Sequence, residues 1–139
     1  MHRLSSVALL AGLTLFSLSC NVSQNISETK QAITHFHEQM DSEQYTAIYR
    51  DADDLLRKKN TEKDLTAILA GIHRKLGAVQ KSEFNGVNVN ATTQGTFIGL
   101  IYKTHFAEGD GTETFRWHVA DNKCKLVSYY VNSAALVLN

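Results

Sequence analysis

A chain of 139 residues, 43% apolar and 20% charged, has the length of one domain. Its 14 Lys+Arg and 14 Asp+Glu cancel, so no field of one sign exists to condense on nucleic acid, and nucleic-acid binding is set aside. Two cysteines, Cys20 and Cys124, are too few for a disulfide framework or a Cys-based zinc site, and no cofactor or metal is expected.

The start of the chain reads as an export leader. His2 and Arg3 precede Val7 to Leu18, VALLAGLTLFSL, a stretch without charge. A bilayer-crossing helix takes about 20 apolar residues, whereas the core of a secretory signal takes about 7–15 and ends in small residues at the cut. Residues 1–19 are therefore expected to be a signal peptide. Ser17 and Ser19 flank Leu18 just before Cys20, so a cut after Ser19 leaves Cys20 as the new N-terminus.

Ser17-Leu18-Ser19-Cys20 resembles a bacterial lipoprotein signal, in which the cysteine carries a diacylglyceryl thioether. Ser17 stands where that pattern has Leu, and the same four residues satisfy ordinary signal-peptidase cleavage. The resemblance implies a cell-envelope protein whose membrane partner is reached through a lipid on Cys20. Since Asn21 rather than Asp follows, it implies the outer membrane where a cell has two. If Cys20 stays unmodified, a Cys20–Cys124 disulfide is open to it in an oxidising compartment. Residues 20–28 are expected to form the attachment site and a polar tether, with Asn21–Glu28 reaching about 26 Å when extended. Residues 29–139 form the domain.

In the domain the apolar period changes once. Ile33, Phe36 and Met40 recur at three and four residues, which predicts a helix from Thr29. Asp41 and Gln44 suggest a capping box before a second short helix carrying Tyr45, Ile48, Tyr49 and Ala52. Asp51, Asp53 and Asp54 followed by Arg57-Lys58-Lys59 read as a solvated, locally paired helix end. A third helix is predicted from an N-cap at Thr61 to a stop at Gly77, with Leu65, Ile68, Leu69, Ile72 and Leu76 on one face.

Beyond Gly77 the period is two. Val79 to Ala91 is a predicted strand with a bend at Gly86, and Thr92 to Gly95 a turn. Thr96 to Phe106 alternates, placing Ile98, Leu100, Tyr102, Thr104 and Phe106 on one face. A hairpin closed by Gly109-Asp110 would pair Tyr102 with Trp117 and Lys103 with Arg116, leaving the Lys103 face in water. The last strand, Cys124 to Ser133, follows a turn at Asp121-Asn122-Lys123. A three-residue loop, sending Val127, Tyr129 and Val131 inward, is preferred to a two-residue loop that would send Leu126, Ser128 and Tyr130.

The expected fold is α+β, with three N-terminal helices packed on a curved four-stranded antiparallel sheet. This order looks like the cone-shaped, cystatin-like fold of nuclear transport factor two and scytalone dehydratase. Ile72-His73-Arg74-Lys75-Leu76-Gly77-Ala78-Val79, Thr112-Glu113-Thr114-Phe115-Arg116-Trp117 and Tyr129-Tyr130-Val131-Asn132-Ser133 resemble an uncharacterised family of small bacterial lipoproteins, to which no activity is attached. The cone of such folds holds a pocket that some members use and others fill with side chains.

Candidate chemistry is sparse. There is no nucleophile elbow, phosphate-binding loop or dinucleotide glycine run. His35 and His37 lie on different sides of one helix, and His105 and His118 are too far apart along the hairpin for one ion. The residues expected to line a pocket are Tyr49, Tyr102, His105, Glu113, Trp117, Tyr129 and Tyr130, with Glu113 the acid to check on an otherwise apolar face. The expected role is binding or protein interaction, with another envelope protein or a small apolar ligand as partner. The alternative is a small isomerase-, dehydratase- or hydrolase-like enzyme with Glu113 or His105 as base and Tyr102 or Tyr130 positioning the substrate.

Overall fold

The computed structural model describes residues 17–138, with side chains from Asn21 onward. The expected leader up to residue 16 and the Cys20 side chain lie outside the described residues. Helices α1 (Ser17–Asp41), α2 (Tyr45–Asp51), α3 (Asp54–Arg57) and α4 (Glu62–Leu76) precede a meander of β1 (Val79–Thr92), β2 (Gly95–Phe106), β3 (Gly109–Ala120) and β4 (Lys123–Asn132), and a last turn, α5 (Ala135–Leu138), follows. The sheet is antiparallel in the order β1-β2-β3-β4. The α+β class stands, with five helices among the described residues instead of three. No helix among the described residues is long and apolar enough to cross a membrane.

Asn21–Glu28 is helical and continuous with the domain's first helix, not an extended tether. At about 1.5 Å per residue its eight residues span about 12 Å. Ile26 packs against the core, and Thr29 is buried with its hydroxyl donating back to the Asn25 and Ile26 carbonyls, so the domain begins before residue 29. The expected stripe of Ile33, Phe36 and Met40 is buried, and His37 lies on the same face.

Asp41 does not open a capping box. It ends α1 and accepts from the Val79 N–H at 3.3 Å, while Gln44 precedes α2 without a side-chain cap. The acidic run after α2 is more than a solvated end. Asp53 is 8% exposed and its carboxylate accepts from the Leu55 N–H at 2.9 Å, which nucleates α3. Thr61 caps α4 by accepting from the Asp64 N–H at 3.1 Å, and Gly77 ends it at φ 72°. Leu69 and Leu76 are buried, but Ile68, expected on the core face, is 53% exposed.

The β2–β3 hairpin turns at Ala107-Glu108, not Gly109-Asp110, and pairs Phe106 with Gly109. Ala107 and Glu108 donate to the Ala78 and Leu76 carbonyls, both at 2.9 Å, so the loop is docked on the end of α4. Tyr102 consequently faces Glu113, Leu100 faces Phe115, and Lys103 faces Thr112. Every cross-strand partner moves by four residues, an even number, so the faces survive: Ile98, Leu100, Tyr102, Phe115, Trp117 and Val119 are buried while Lys103, His105 and Arg116 are exposed.

The β3–β4 loop has two residues, Asp121 and Asn122, both in the left-handed region. A bulge opposite Arg116/Trp117 then reverses the parity of β4. Leu126 is therefore buried before the bulge, and Val131 after it, with Tyr129 packed against the core. Each of the two expected inward sets describes half of the strand.

Candidate functional site

Glu113 is fully buried on the inner face of β3. Its Oε2 accepts from His37 Nε2 of α1 at 2.8 Å and from Thr104 Oγ1 of β2 at 2.5 Å. Its Oε1 accepts from the Tyr129 hydroxyl of β4 at 2.8 Å. One carboxylate thus joins a helix to three strands. Thr104, whose proton goes to Glu113, is left to accept from Ser82 Oγ at 2.9 Å. Burial, then the Glu113 charge and hydrogen bond, push the Tyr129 phenol well above its ordinary value, so it remains a donor. Phe36 and Phe115 pack around the Tyr129 ring with centroids 4.7 and 5.0 Å away.

The cavity touching Glu113 is small. Between His37, Met40, Leu76, Phe106 and Tyr129 it holds about 10 Å³, the room of one water. The space beside Glu113 is filled by side chains. With its donors in place and no room for a substrate, Glu113 has the geometry of a structural cross-link between α1 and the sheet.

Of the residues expected to line one pocket, only Glu113, Tyr129 and Tyr102 are neighbours. Tyr102 sits opposite Glu113 and packs edge-on against Phe115; burial raises its phenol pKa. Tyr49 packs partly buried against the core. Trp117 is 6% exposed on the inner face, and its indole N–H is buried without a partner. His105 and Tyr130 do not belong to this set. His105 is on the outer face beside Asp110, Nδ1 to Oδ1 2.5 Å, and Tyr130 is 65% exposed. The parity reversal at the β4 bulge puts Tyr129 inside and Tyr130 out.

Two members of the network, His37 and Thr104, stand outside the expected pocket set. His37 lies four residues after Ile33 and three before Met40, a spacing that places it on the buried stripe. Thr104 occupies an inward position of β2, and the register that brings it to Glu113 depends on the docking of the hairpin loop onto α4.

A second, partly buried pair lies at the other end of the sheet. His118 Nδ1 is 2.9 Å from Asp53 Oδ2, and its Nε2 donates to the Gln94 carbonyl at 2.8 Å. The imidazole stacks on Phe97 with centroids 4.6 Å apart. Burial, the largest influence on each, disfavours both charges. It is outweighed in Asp53 by the Leu55 N–H and His118, which hold its carboxyl below its ordinary 3.8, and in His118 by Asp53 and Gln94, which raise it above 6.5. Cys124 carries a free thiol pushed up to about 12, chiefly by burial, and is inert as a nucleophile. Among the described residues, no three His, Cys, Asp or Glu are grouped to hold a metal ion.

Larger hollows lie elsewhere, among them one of about 110 Å³ lined by Phe36, Ile48, Trp117 and Leu126 and one of about 260 Å³ on the outer face beside Phe97 and Arg116. A depression of about 430 Å³ on the outer sheet face is lined by Lys81, Glu83, Lys103, His105 and Asp110, where Lys81 pairs with Glu83 at 2.6 Å. A groove of about 220 Å³ runs between α4 and β4.

Fold and site together define a small α+β protein in which helices cover an open antiparallel meander pinned by a buried carboxylate. The chain belongs to the family described as Protein of unknown function (DUF4019), which matches residues 32–129. That span takes in His37, Thr104, Glu113 and Tyr129. A comparison with curated proteins found no match.

Proposed function

We propose that this protein is an exported binding module, held at a membrane by a lipid on Cys20, that takes up an extended segment of another envelope protein along β1. The uncharged, exposed inner face of the edge strand β1 carries this reading. β1 is an edge strand, and Phe84, Val87 and Val89 on its inner face are 46%, 45% and 37% exposed. From Phe84 to Gly95 there is no charged residue, whereas edges that avoid pairing usually carry Lys, Glu or Pro. Lys30 lies over the Phe84 ring at 3.9 Å and bounds the apolar face on one side. A neutral partner strand with alternating apolar side chains suits this edge, with backbone bonds giving affinity and side-chain contacts specificity.

The VALLAGLTLFSL leader and the Ser19-Cys20 pair support export and lipidation. The order of helices then meander supports the cone-shaped fold of the nuclear transport factor two type, and the lack of room for a substrate beside Glu113 favours interaction over an enzyme that uses this acid.

The test places a photo-crosslinking residue at Val87 in cells making the full chain. The expected result is one adduct, mapped by mass spectrometry to an extended neutral segment of an envelope protein. It should disappear with the Val89→Lys variant and be absent when the crosslinker is moved to Lys63. An adduct insensitive to Val89→Lys, an adduct to a second copy, or none at all overturns the strand-partner reading. Mass spectrometry of the mature N-terminus tests the anchor separately, since an unmodified Cys20 overturns lipidation alone.

A further inference from the structure

We infer that the hollow at Gly99 on the outer face of the sheet is a binding site for one acidic sugar unit of an anionic glycan, of the uronic-acid class. One row of the sheet builds it. Asn88 of β1, Gly99 of β2, Arg116 of β3 and Ser128 of β4 are consecutive cross-strand partners, and all four line the hollow. An amide, a gap, a guanidinium and a hydroxyl thus stand in line, with Asn88 and Arg116 about 10 Å apart across the gap at ordinary strand spacing. The hollow holds about 260 Å³, less than the about 300–1,000 Å³ of drug-sized pockets, which suits a single sugar ring.

The fold does not require glycine at position 99. Its φ is not in the left-handed region, and a Cβ there would meet nothing nearer than the Asn88 Cβ at 3.7 Å, an ordinary contact. Glycine weakens the interior of a strand, and where neither a turn nor crowding calls for it, it marks a place that a ligand approaches closely. Here it leaves the floor of the hollow bare.

The charge at the hollow selects the sugar. No Asp or Glu lines it, and among the described residues Arg116 has no carboxylate within 4.0 Å. Its guanidinium lies over the Phe97 ring at 4.7 Å. Stacking of this kind steadies the guanidinium plane and leaves its N–H edge to receive a carboxylate. The acids of the outer face, Glu83 and Asp110, lie farther along the sheet and are paired with Lys81 and His105, while Asp53 is paired with His118. The Asn88 and Asn90 amides and the Thr114 and Ser128 hydroxyls both donate and accept, as sugar hydroxyls require. Tyr130, the cross-strand partner of Thr114, is 65% exposed and offers an aromatic face beside the hollow. A neutral sugar would leave Arg116 unmatched. A nucleic acid would draw on a wide basic field, which a chain of equal acids and bases lacks. The site lies on the face of the sheet opposite Phe84, Val87 and Val89 and does not depend on the strand-partner reading.

The probes are trisaccharides of glucuronate, galacturonate and mannuronate, titrated into ¹⁵N-labelled protein and followed by NMR, with their carboxyl-reduced forms as matched neutral controls. The expected result is that at least one gives saturable shifts at the Asn88, Gly99, Arg116 and Ser128 amides and binds at least 10-fold more tightly than its reduced form. Arg116→Gln should weaken that sugar about 10-fold and leave the reduced form unchanged. Gly99→Val, which fills the hollow with a residue that strands favour, should abolish binding without lowering the urea midpoint. No saturable binding by any of the three, equal affinity for charged and reduced forms, or undiminished binding to Gly99→Val would overturn the assignment. So would a single-stranded oligonucleotide that saturates the same amides more tightly than the sugars do.

Discussion

A carboxylate placed among aromatic rings is stable only when its oxygens are met by donors, and Glu113 is met by three. Truncation therefore strands the donors as well as removing the acid. Glu113→Leu should lower unfolding free energy by about 3–5 kcal/mol, as breaking one member of a buried polar set does. Tyr129→Phe removes one bond and keeps the ring, and should cost about 1–3 kcal/mol. Urea denaturation of both variants checks the order, and equal losses would mean that the network contributes little beyond packing. Asp53 and His118 add a pH dependence. The raised His118 pKa contributes stability that is full below 6.5 and lost as pH climbs through the folded value, and the lowered Asp53 pKa contributes stability present above 3.8 and lost as pH falls through its folded value. Their joint contribution is greatest between these limits. Melting temperatures of wild type and His118→Gln should thus differ most near pH 5–6 and converge as pH rises further.

At the scale of elements, the joint between α4 and the sheet decides much of the architecture. Gly77 has φ 72°, and a Cβ there would stand 2.8 Å from the Ala107 Cβ in the docked hairpin loop. Gly77→Ala combines a left-handed alanine with a collision and should destabilise by about 2 kcal/mol or more. Chemical denaturation reads this directly, and a neutral effect would show that the loop yields easily. The same joint explains what could be read from the chain and what could not. Capping at Thr61, the stop at Gly77 and the alternation of β2 are local, so α4 and the inner face were legible. The β2–β3 register was not, because Ala107 and Glu108 take their turn from contacts with Leu76 and Ala78 some thirty residues away in sequence. A two-residue closure at Gly109-Asp110 satisfies local turn preference equally well. The β4 bulge was hidden for the same reason, since parity can change within a strand only when packing on both sides of the change compensates. Strand parity alone places Glu113 inside, whereas no local signal gives His37 a role. A histidine on an apolar stripe gains meaning only when the opposite carboxylate is known.

For the molecule as a whole, two apolar clusters meet around the carboxylate. The larger contains Phe36, Leu69, Leu100, Phe115 and Trp117, the smaller contains Leu76, Phe106, Val131 and Ala135, and both have Ile72 and Tyr129 packed against them. The smaller is closed by α5, where Ser133 Oγ donates to the Asp110 carbonyl at 2.6 Å and Lys75 Nζ to the Leu136 carbonyl at 2.7 Å. Too few residues make up the second cluster for it to fold alone, so its stability is borrowed through shared side chains and the Glu113 bonds. Unfolding should then be one transition. Trp117, the single tryptophan, reports the larger cluster by fluorescence, and a ¹⁹F-labelled Phe106 reports the smaller by NMR. In wild-type protein the two urea transitions should coincide. In Glu113→Leu, which removes the bonds from β3 to α1, β2 and β4 while leaving both clusters apolar, the Phe106 signal should change at lower urea than Trp117. Coincident transitions in the variant would mean that shared packing through Ile72 and Tyr129 suffices to couple the clusters, leaving the carboxylate to fix geometry without governing cooperativity.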